Sequence, residues 1–181
     1  MKLNPLNIRF LPKFILKAFL ALSFLIFASH AEASLKEYQL KAAFIYNFAK
    51  FIDWPEYNSK EFRICVLGSD PFGSTLNPAR TKDIDGKKIV IERKPGVDFI
   101  SSCQILFVGN SEAGNLTKIL EKLGSNPVLT VSDISGFSRK GGVVEFTENE
   151  GKIRFKINSK LASQKNLKIS AKLLELAEEV N

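Results

Sequence analysis

Histidine is almost absent from this sequence. Its one example, His30, lies in an N-terminal segment that we expect to be removed. Without imidazole, the rest of the chain cannot build Ser-His-Asp or Cys-His catalytic sites, or zinc sites of the usual histidine-containing kinds. With only two cysteines, a four-thiolate metal site is excluded as well. The composition therefore favours a protein that is not an enzyme, and we expect no cofactor and no metal.

The N-terminal segment has the order of features that is typical of an export signal. Four basic residues among the first 17 precede an apolar run over residues 18–28. That run is shorter than the roughly 20 residues that a membrane-spanning helix needs, so a retained anchor is the weaker alternative. Ala31 and Ala33 form a small-x-small cleavage pattern, with cleavage after Ala31 also open. We predict a cleaved signal peptide over residues 1–33 and a periplasmic protein without a transmembrane helix after cleavage.

The charge of the chain is mildly basic. It carries 26 Lys and Arg against 19 Asp and Glu, a formal net charge of +7, and part of the excess lies in the predicted signal. A strong nucleic-acid binder needs Lys and Arg clustered on one face, and export removes the protein from genomic DNA. We therefore expect no nucleic-acid partner. Residues 34–181 are enough chain for one domain with a real core.

Two cysteines, Cys65 and Cys103, remain in the predicted mature protein. Free thiols do not usually persist in an oxidising compartment, so a disulfide is predicted. Closing a loop of this length stabilises a chain by about 4 kcal/mol in the chain-entropy description. Two buried, reduced cysteines are the alternative.

Hydrophobic periodicity and turn residues predict a single α/β domain. A first helix over residues 34–51, with Ser34 as its cap, stops before Trp54 and Pro55. Buried strands, a helix between the third and fourth of them, a hairpin, a helix cap at Asn158 and a last helix follow. Their bounds are 62–67, 88–93, 104–108 and 128–131 for the strands, 116–123 for the helix, 143–147 with 152–157 for the hairpin, and 167–180 for the last helix. The order predicts a Rossmann-like three-layer fold: a mostly parallel sheet with helices on both faces and an antiparallel edge hairpin.

The first helix carries aromatic residues at helical spacing. An apolar stripe of Leu40, Ala43, Phe44, Phe48 and Phe51 is predicted to face the core, with Lys41 and Lys50 outside. Tyr46 and Trp54, with Lys50, are candidates for a partner-facing groove, because amphipathic rings contribute much of the binding energy at interfaces.

The hairpin's second strand alternates basic and apolar residues. Lys152, Arg154 and Lys156 therefore share one face. A solvated face that blocks edge pairing is one interpretation. Binding of an acidic partner surface or a small anion is the other.

Carboxylates near the ends of predicted elements are weak candidates for chemistry. Glu37, Asp53, Glu56, Asp70 and Asp133 lie at such positions, where turn and cap roles are commoner than catalysis. Of these, Asp133 is kept as a candidate partner or ligand residue. The residues from Gly68 to Gly73 imitate a phosphate-binding loop but lack its middle glycine, so a simple turn is favoured.

Several blocks of the sequence, in this order and spacing, resemble the YfiR family of periplasmic regulators. The matching blocks are residues 37–51 with 54–55, 65–68 with 70–73, 103–107, 128–133, 141–142, 154–158 and 167–170. The resemblance implies an inhibitor that holds the periplasmic sensory domain of an inner-membrane diguanylate cyclase inactive. It also implies lower cyclic di-GMP, less biofilm, and sequestration by an outer-membrane lipoprotein.

The family resemblance also bears on the cysteines. Cys65 and Cys103 match one disulfide pair of the family, and a second bridge that some members have is absent here. The sequence leaves open whether the protein forms a homodimer. The rival class is a periplasmic small-ligand receptor that reports to a sensor kinase or a transport system, since neither class requires catalytic residues.

Overall fold

The computed structural model describes residues 35–55, 57 and 59–181. The predicted signal peptide over residues 1–33, its cleavage site and the cap at Ser34 lie outside the described residues. No helix within the described ranges is long and apolar enough to cross a membrane.

The elements follow the predicted alternation through most of the chain. Helix α1 covers residues 35–51 and leads directly into the short strand β1. The elements after α1 are β1 (Ile52–Asp53), β2 (Glu61–Leu67), a 3₁₀ helix (Gly73–Thr81), β3 (Asp83–Ile84), β4 (Lys87–Arg93), β5 (Ile105–Val108), α2 (Leu116–Leu123), β6 (Leu129–Ser132), β7 (Val144–Asn149), β8 (Lys152–Ile157), α3 (Ser159–Gln164), β9 (Lys168–Ile169), α4 (Ala171–Glu175) and β10 (Glu179–Val180). Short 3₁₀ turns at Ile100–Ser102 and Asn110–Asn115 flank β5.

The main sheet of the described chain has eight strands in the order β10-β8-β7-β6-β5-β2-β4-β3. Strands β4, β2, β5, β6 and β7 run parallel, and β7 pairs antiparallel with β8. The chain starts at β2, moves to β4 and then crosses back to β5, which makes this a doubly wound sheet with its switch point between β2 and β5. The predicted mostly parallel α/β sheet with an antiparallel hairpin is therefore confirmed.

Helices cover the two faces of this sheet. Buried side chains of α1, among them Ile45 and Phe48, pack with Phe62, Ile64 and Phe107 on one face. Helix α2 packs on the other face through further buried apolar residues, and it ends as predicted at Gly124, whose N–H bonds the carbonyls of Leu120 and Glu121. The strands are apolar on both sides because both sides are buried.

The disulfide between Cys65 and Cys103 is present, with a Cα–Cα distance of 6.0 Å. It joins β2 to Cys103, two residues before β5, on the sheet face that α2 covers. Both cysteines are buried among apolar neighbours.

One predicted element is wrong. The last helix predicted over 167–180 is instead β9, the five-residue α4 and β10. Long-range pairing outweighs local periodicity here, because Ile169 pairs with Ile52 of β1 and the Ser170 side chain caps α4 by accepting the Leu173 N–H. The confirmed hairpin has one short strand outside it, since β10 pairs with Lys156 and Ile157 of β8.

The buried face of α1 is rotated from the predicted stripe. Leu40 is 44% exposed and Ala43 is exposed, whereas Lys41 is buried at 4% exposure. The core side of the helix is formed by Lys41, Ala42, Ile45, Phe48 and Ala49. Lys50 is exposed as predicted. Lys41 can be buried because the fold supplies carboxylates and aromatic rings around its ammonium group.

Candidate functional site

A buried polar cluster joins α1 to the residue after β6. Lys41 Nζ lies 2.5 Å from Glu37 Oε1 and donates a hydrogen bond of 3.0 Å to Asp133 Oδ2. Tyr38 Oη donates to the same oxygen at 2.8 Å, and Lys41 Nζ lies 4.5 Å from the centre of the Tyr38 ring. The Asp133 side chain is 11% exposed. Asp133 therefore fastens the first helix to the sheet, and its role at a partner surface stays a prediction.

The electrostatics of this cluster keep Tyr38 protonated. Burial, followed by the hydrogen bond and negative charge of Asp133, raises the pKa of Tyr38 well above its usual value near 10. A tyrosine in that state is a hydrogen-bond donor and not a base. The chemistry of the cluster is thus that of a fixed ion pair.

Trp54 forms the wall between two surface clefts. Its indole N–H donates to the Gln104 carbonyl at 3.2 Å, and its ring meets Phe62 edge-on at 5.0 Å. One cleft, of about 420 Å³, adjoins Ser101, Ser102 and Cys103. The other, of about 600 Å³, adjoins Ile84, Asp85 and Lys87. The partly exposed Trp54 is held rigidly, as an anchor residue needs to be.

Tyr46 and Lys50 line a third depression of about 560 Å³ beside these clefts. It shares Ile84 and Asp85 with the larger Trp54 cleft. Lys82 Nζ lies 4.3 Å from the centre of the Tyr46 ring. The structure thus brings three predicted surface residues, Tyr46, Lys50 and Trp54, into one continuous groove, which we call the Trp54 groove.

Lys152, Arg154 and Lys156 lie away from this groove, on β8. Lys152 and Arg154 are exposed, and alternate residues Phe155 and Ile157 are buried, which agrees with the predicted alternation. Lys156 Nζ pairs with Glu179 Oε2 at 2.7 Å, and that hydrogen bond raises the pKa of Lys156. The basic face is thus partly neutralised by the chain's own C-terminal strand.

The switch point between β2 and β5 is filled. The Ser69 N–H donates to Ser111 Oγ at 2.9 Å, and a Cβ placed on Gly109 would lie 2.7 Å from the Ser69 carbonyl oxygen. A Cβ on Gly68 would lie 2.4 Å from Ser111 Oγ. The two loops therefore occupy the crevice in which doubly wound sheets usually bind ligands.

Sequence reasoning missed one buried carboxylate, Glu145 on β7. Its oxygens accept the N–H groups of Gly136 and Ser138 at 2.7 and 3.0 Å and the Ser138 hydroxyl at 2.7 Å. Burial raises the pKa of Glu145, but these hydrogen bonds and the charge of Lys156 outweigh it, so the net pKa is lowered. A glutamate between Val144 and Phe146 in a buried strand is the signal that could have revealed it.

Replacing Glu145 by glutamine is expected to lower the free energy of unfolding by about 2 kcal/mol at pH 7, because the amide cannot accept all three donors. The folded pKa lies below the ordinary value of 4.5. The carboxylate's contribution is therefore present above about pH 4.5 and is lost as the pH falls through the folded pKa. Urea unfolding should show that the difference in free energy of unfolding between the wild type and Glu145→Gln is smaller at pH 3.5 than at pH 7. An equal gap at both values would contradict this assignment.

Among the residues that the structure describes, no three His, Cys, Asp or Glu side chains form a group able to hold a metal ion. The three clefts described above are lined by aromatic, lysine and small polar side chains, together with Arg63, Asp83 and Asp85. Clefts of this kind can receive a small ligand or a side chain of a partner protein.

A model of one protein family identifies the class more closely. The YfiR/HmsC-like family matches residues 38–178, and the chain belongs to that family. Membership supports, at the level of the family, a periplasmic regulator of a diguanylate cyclase.

Other comparisons add little. No curated protein matches the chain. The ABC domain from Streptococcus pneumoniae in complex with L-Trp shares 14% identity at a TM-score of 0.49, over 66% of this chain and 55% of that chain. A conserved domain protein from Vibrio cholerae shares 12% identity at a TM-score of 0.47, over 66% of this chain and 54% of that chain. The chain thus spans about half of each structure, and at these TM-scores the likeness carries no argument.

Proposed function

We propose that this protein is a periplasmic inhibitor that binds the sensory domain of an inner-membrane diguanylate cyclase and lowers cyclic di-GMP. The observation that carries the proposal is the family match, which spans residues 38–178 and so nearly all of the described domain. The protein acts by binding and not by turnover. An outer-membrane lipoprotein that sequesters it would release the cyclase.

Inhibition of this kind requires differential affinity. A binding protein shifts its partner between two states only by as much as it prefers one of them. We propose the Trp54 groove as a contact surface, because it combines a rigidly held indole with the Tyr46 ring and flanking lysines. Tryptophan and tyrosine are enriched among the residues that contribute most to interface affinity.

The proposal is tested by capture and by cyclic di-GMP measurement. The tagged protein, expressed with its full sequence, is recovered from the periplasm and used to capture a detergent-solubilised diguanylate cyclase that has a periplasmic domain. Deleting its gene should raise cyclic di-GMP, and restoring it should reverse the rise. Specific capture together with that rise supports the function. Unchanged cyclic di-GMP in the deletion strain, with the cyclase present, would refute it.

Trp54→Ala is expected to weaken binding of the cyclase sensory domain about 30-fold, which corresponds to about 2 kcal/mol for a central anchor. Trp54→Phe keeps an aromatic ring against Phe62 but loses the hydrogen bond to the Gln104 carbonyl, so its loss should be smaller. Titration calorimetry measures both values, and circular dichroism checks that each variant is folded. A folded Trp54→Ala protein with unchanged affinity would remove the groove from the interface.

A small-ligand receptor is the second candidate, and the clefts beside Trp54 favour it. The cleft of about 420 Å³ is large enough for a small molecule, and Ser101 and Ser102 are among the residues that line it. Such a ligand would raise the melting temperature in a concentration-dependent way. A metabolite screen with that readout, in the absence of cyclase, separates the two functions.

A further inference from the structure

The two edges of the eight-stranded sheet are closed in different ways. On the β4 side, β3 covers the start of the strand and the Arg80 guanidinium donates to the Ile91 carbonyl at 3.0 Å. That edge is therefore occupied by the 3₁₀ helix and its side chain. On the other side, β10 pairs with only the last two residues of the six-residue strand β8.

Polar contacts at the surface hold β10 in place. The Glu178 N–H donates to the Phe155 carbonyl at 2.8 Å, and the Asn181 N–H donates to the Ile157 carbonyl at 2.9 Å. The Glu178 carboxylate accepts hydrogen bonds from the side chains of Thr147 and Asn149. Val180 remains 45% exposed. The exposed side-chain contacts contribute little net stability. Strand β10 is therefore held mainly by a few backbone bonds, those to β8 and those from the Ser159 and Lys160 N–H groups to the Asn181 carbonyl, and it is a weakly held edge.

The strand beneath β10 is regular and has a definite polarity. Carbonyls of Phe155 and Ile157 point toward β10, so the alternation of a β-strand directs the backbone groups of Ile153 to the same edge. On one face of the strand lie Lys152, Arg154 and Lys156, and the opposite face is anchored in the core. The strand therefore offers backbone hydrogen bonds along its edge and three positive charges beside them.

The charges indicate which occupant fits this edge. Two copies of β8 pairing with each other would bring like charges together across the strands, which is unfavourable. The chain's own occupant is acidic, since Glu179 pairs with Lys156 and Glu178 lies next to it. A longer acidic strand in the same place would also meet Arg154 and Lys152.

We propose that the β8 edge is a docking site for an extended, acidic segment of the partner protein, which adds as a strand after displacing β10. The backbone supplies affinity, and the basic face selects acidic side chains at alternate positions. Strand β10 then competes with the partner and keeps the edge covered in its absence. This inference deepens the proposed function and rests on it only for the identity of the partner.

A labelled peptide tests the docking edge directly. The probe is a fluorescein-labelled peptide with Glu and Val at alternate positions, and the control peptide has Gln in place of each Glu. Anisotropy titration with the mature protein is expected to show binding of the acidic peptide at least about tenfold tighter than the control. Equal binding of the two peptides, or no binding of either, would overturn the proposal.

Two double variants with the same change in net charge distinguish displacement of β10 from a general effect of charge on peptide binding. Glu178→Ala with Glu179→Ala loosens β10 and should raise affinity for the acidic peptide about tenfold. Glu148→Ala with Glu175→Ala removes the same charge from exposed positions outside β10 and should change affinity less than about twofold. Equal gains from the two double variants would overturn displacement. A loosened protein that dimerises but does not bind the peptide would show a self-pairing edge and overturn the proposal.

Variants of β8 complete the test. Arg154→Glu should weaken the acidic peptide about tenfold, and Ile153→Pro, which removes an edge N–H, should weaken both peptides. Arg154 is exposed, so its variant serves if the others fail to fold. Unchanged affinity in Arg154→Glu would overturn the proposal. If all these variants capture the cyclase equally well, the docking proposal is refuted and the proposed function is supported. If the protein binds the acidic peptide but captures no cyclase, the docking proposal is supported and the proposed function is refuted.

Discussion

Asp133→Ala is expected to lower the free energy of unfolding by about 3 kcal/mol. Asp133 accepts hydrogen bonds from both Lys41 and Tyr38, and its loss leaves a buried ammonium group with only Glu37 as an anionic partner. Breaking a buried ion pair by removing one partner costs about 3–5 kcal/mol. The partial exposure of Glu37 and its remaining charge place this case at the lower end. Guanidinium chloride unfolding followed by circular dichroism measures the change.

The double variant Lys41→Met with Asp133→Ala is the control. Removing the lysine as well leaves no uncompensated buried charge, so the double variant should be more stable than Asp133→Ala alone. The coupling inferred from the distances would be contradicted if Asp133→Ala lowered the free energy of unfolding by less than about 1 kcal/mol. It would also be contradicted if the loss in the double variant equalled the sum of the losses in Lys41→Met and Asp133→Ala measured separately.

Removing the disulfide should lower the free energy of unfolding by about as much as Asp133→Ala does. Cys65→Ala with Cys103→Ala opens a constraint across 38 residues of sequence, for which the chain-entropy description gives about 4 kcal/mol. Both sulfurs are buried beneath α2, so lost packing adds to the effect. Reduction of the wild type should lower its unfolding midpoint toward that of the variant. Thermal unfolding with and without reductant measures this.

The double alanine variant is its own control for the reductant, since it has no thiol to reduce and its midpoint should not move. Identical wild-type midpoints in oxidising and reducing buffer, after thiol titration has confirmed reduction, would contradict a stabilising disulfide.

The sequence predicted the central sheet well because its strands are strongly apolar. Strands β2, β5 and β6 are buried on both faces, and each lies within a residue of its predicted bounds. The end of α1 before Trp54 and the cap at Asn158 follow from local backbone chemistry, and the Asn158 side chain accepts the Leu161 N–H. Such local rules do not depend on the rest of the fold.

The errors come from contacts between distant segments. The helical pattern predicts Lys41 outside, since a lysine is almost never fully buried unless it is paired, and its partner Asp133 is 92 residues away. The helix predicted near the C-terminus gave way to β9, whose partner β1 lies far back in the sequence. Glu145 escaped notice because its donors, Gly136 and Ser138, belong to a loop whose path no local pattern fixes.

The candidate surfaces were only partly accessible to sequence reasoning. Periodicity placed Lys152 and Arg154 on one face, because a strand has a strict period of two. Tyr46 and Trp54 share a groove with Ile84 and Asp85. This arrangement depends on the position of β3 beside α1, which the sequence did not predict. The sequence did not predict the weakly held edge strand β10, because the same residues have the spacing of a helix.

The pairing of Ile52 with Ile169 has a consequence for how the chain acquires its structure. A polypeptide delivered from its N-terminus, by a ribosome or through a membrane pore, cannot complete this small sheet until residue 169 has emerged. Until then the end of α1 lacks this neighbour. Domains dominated by such distant contacts fold slowly, so newly delivered chains should depend on chaperones for longer than a helical bundle of the same size would.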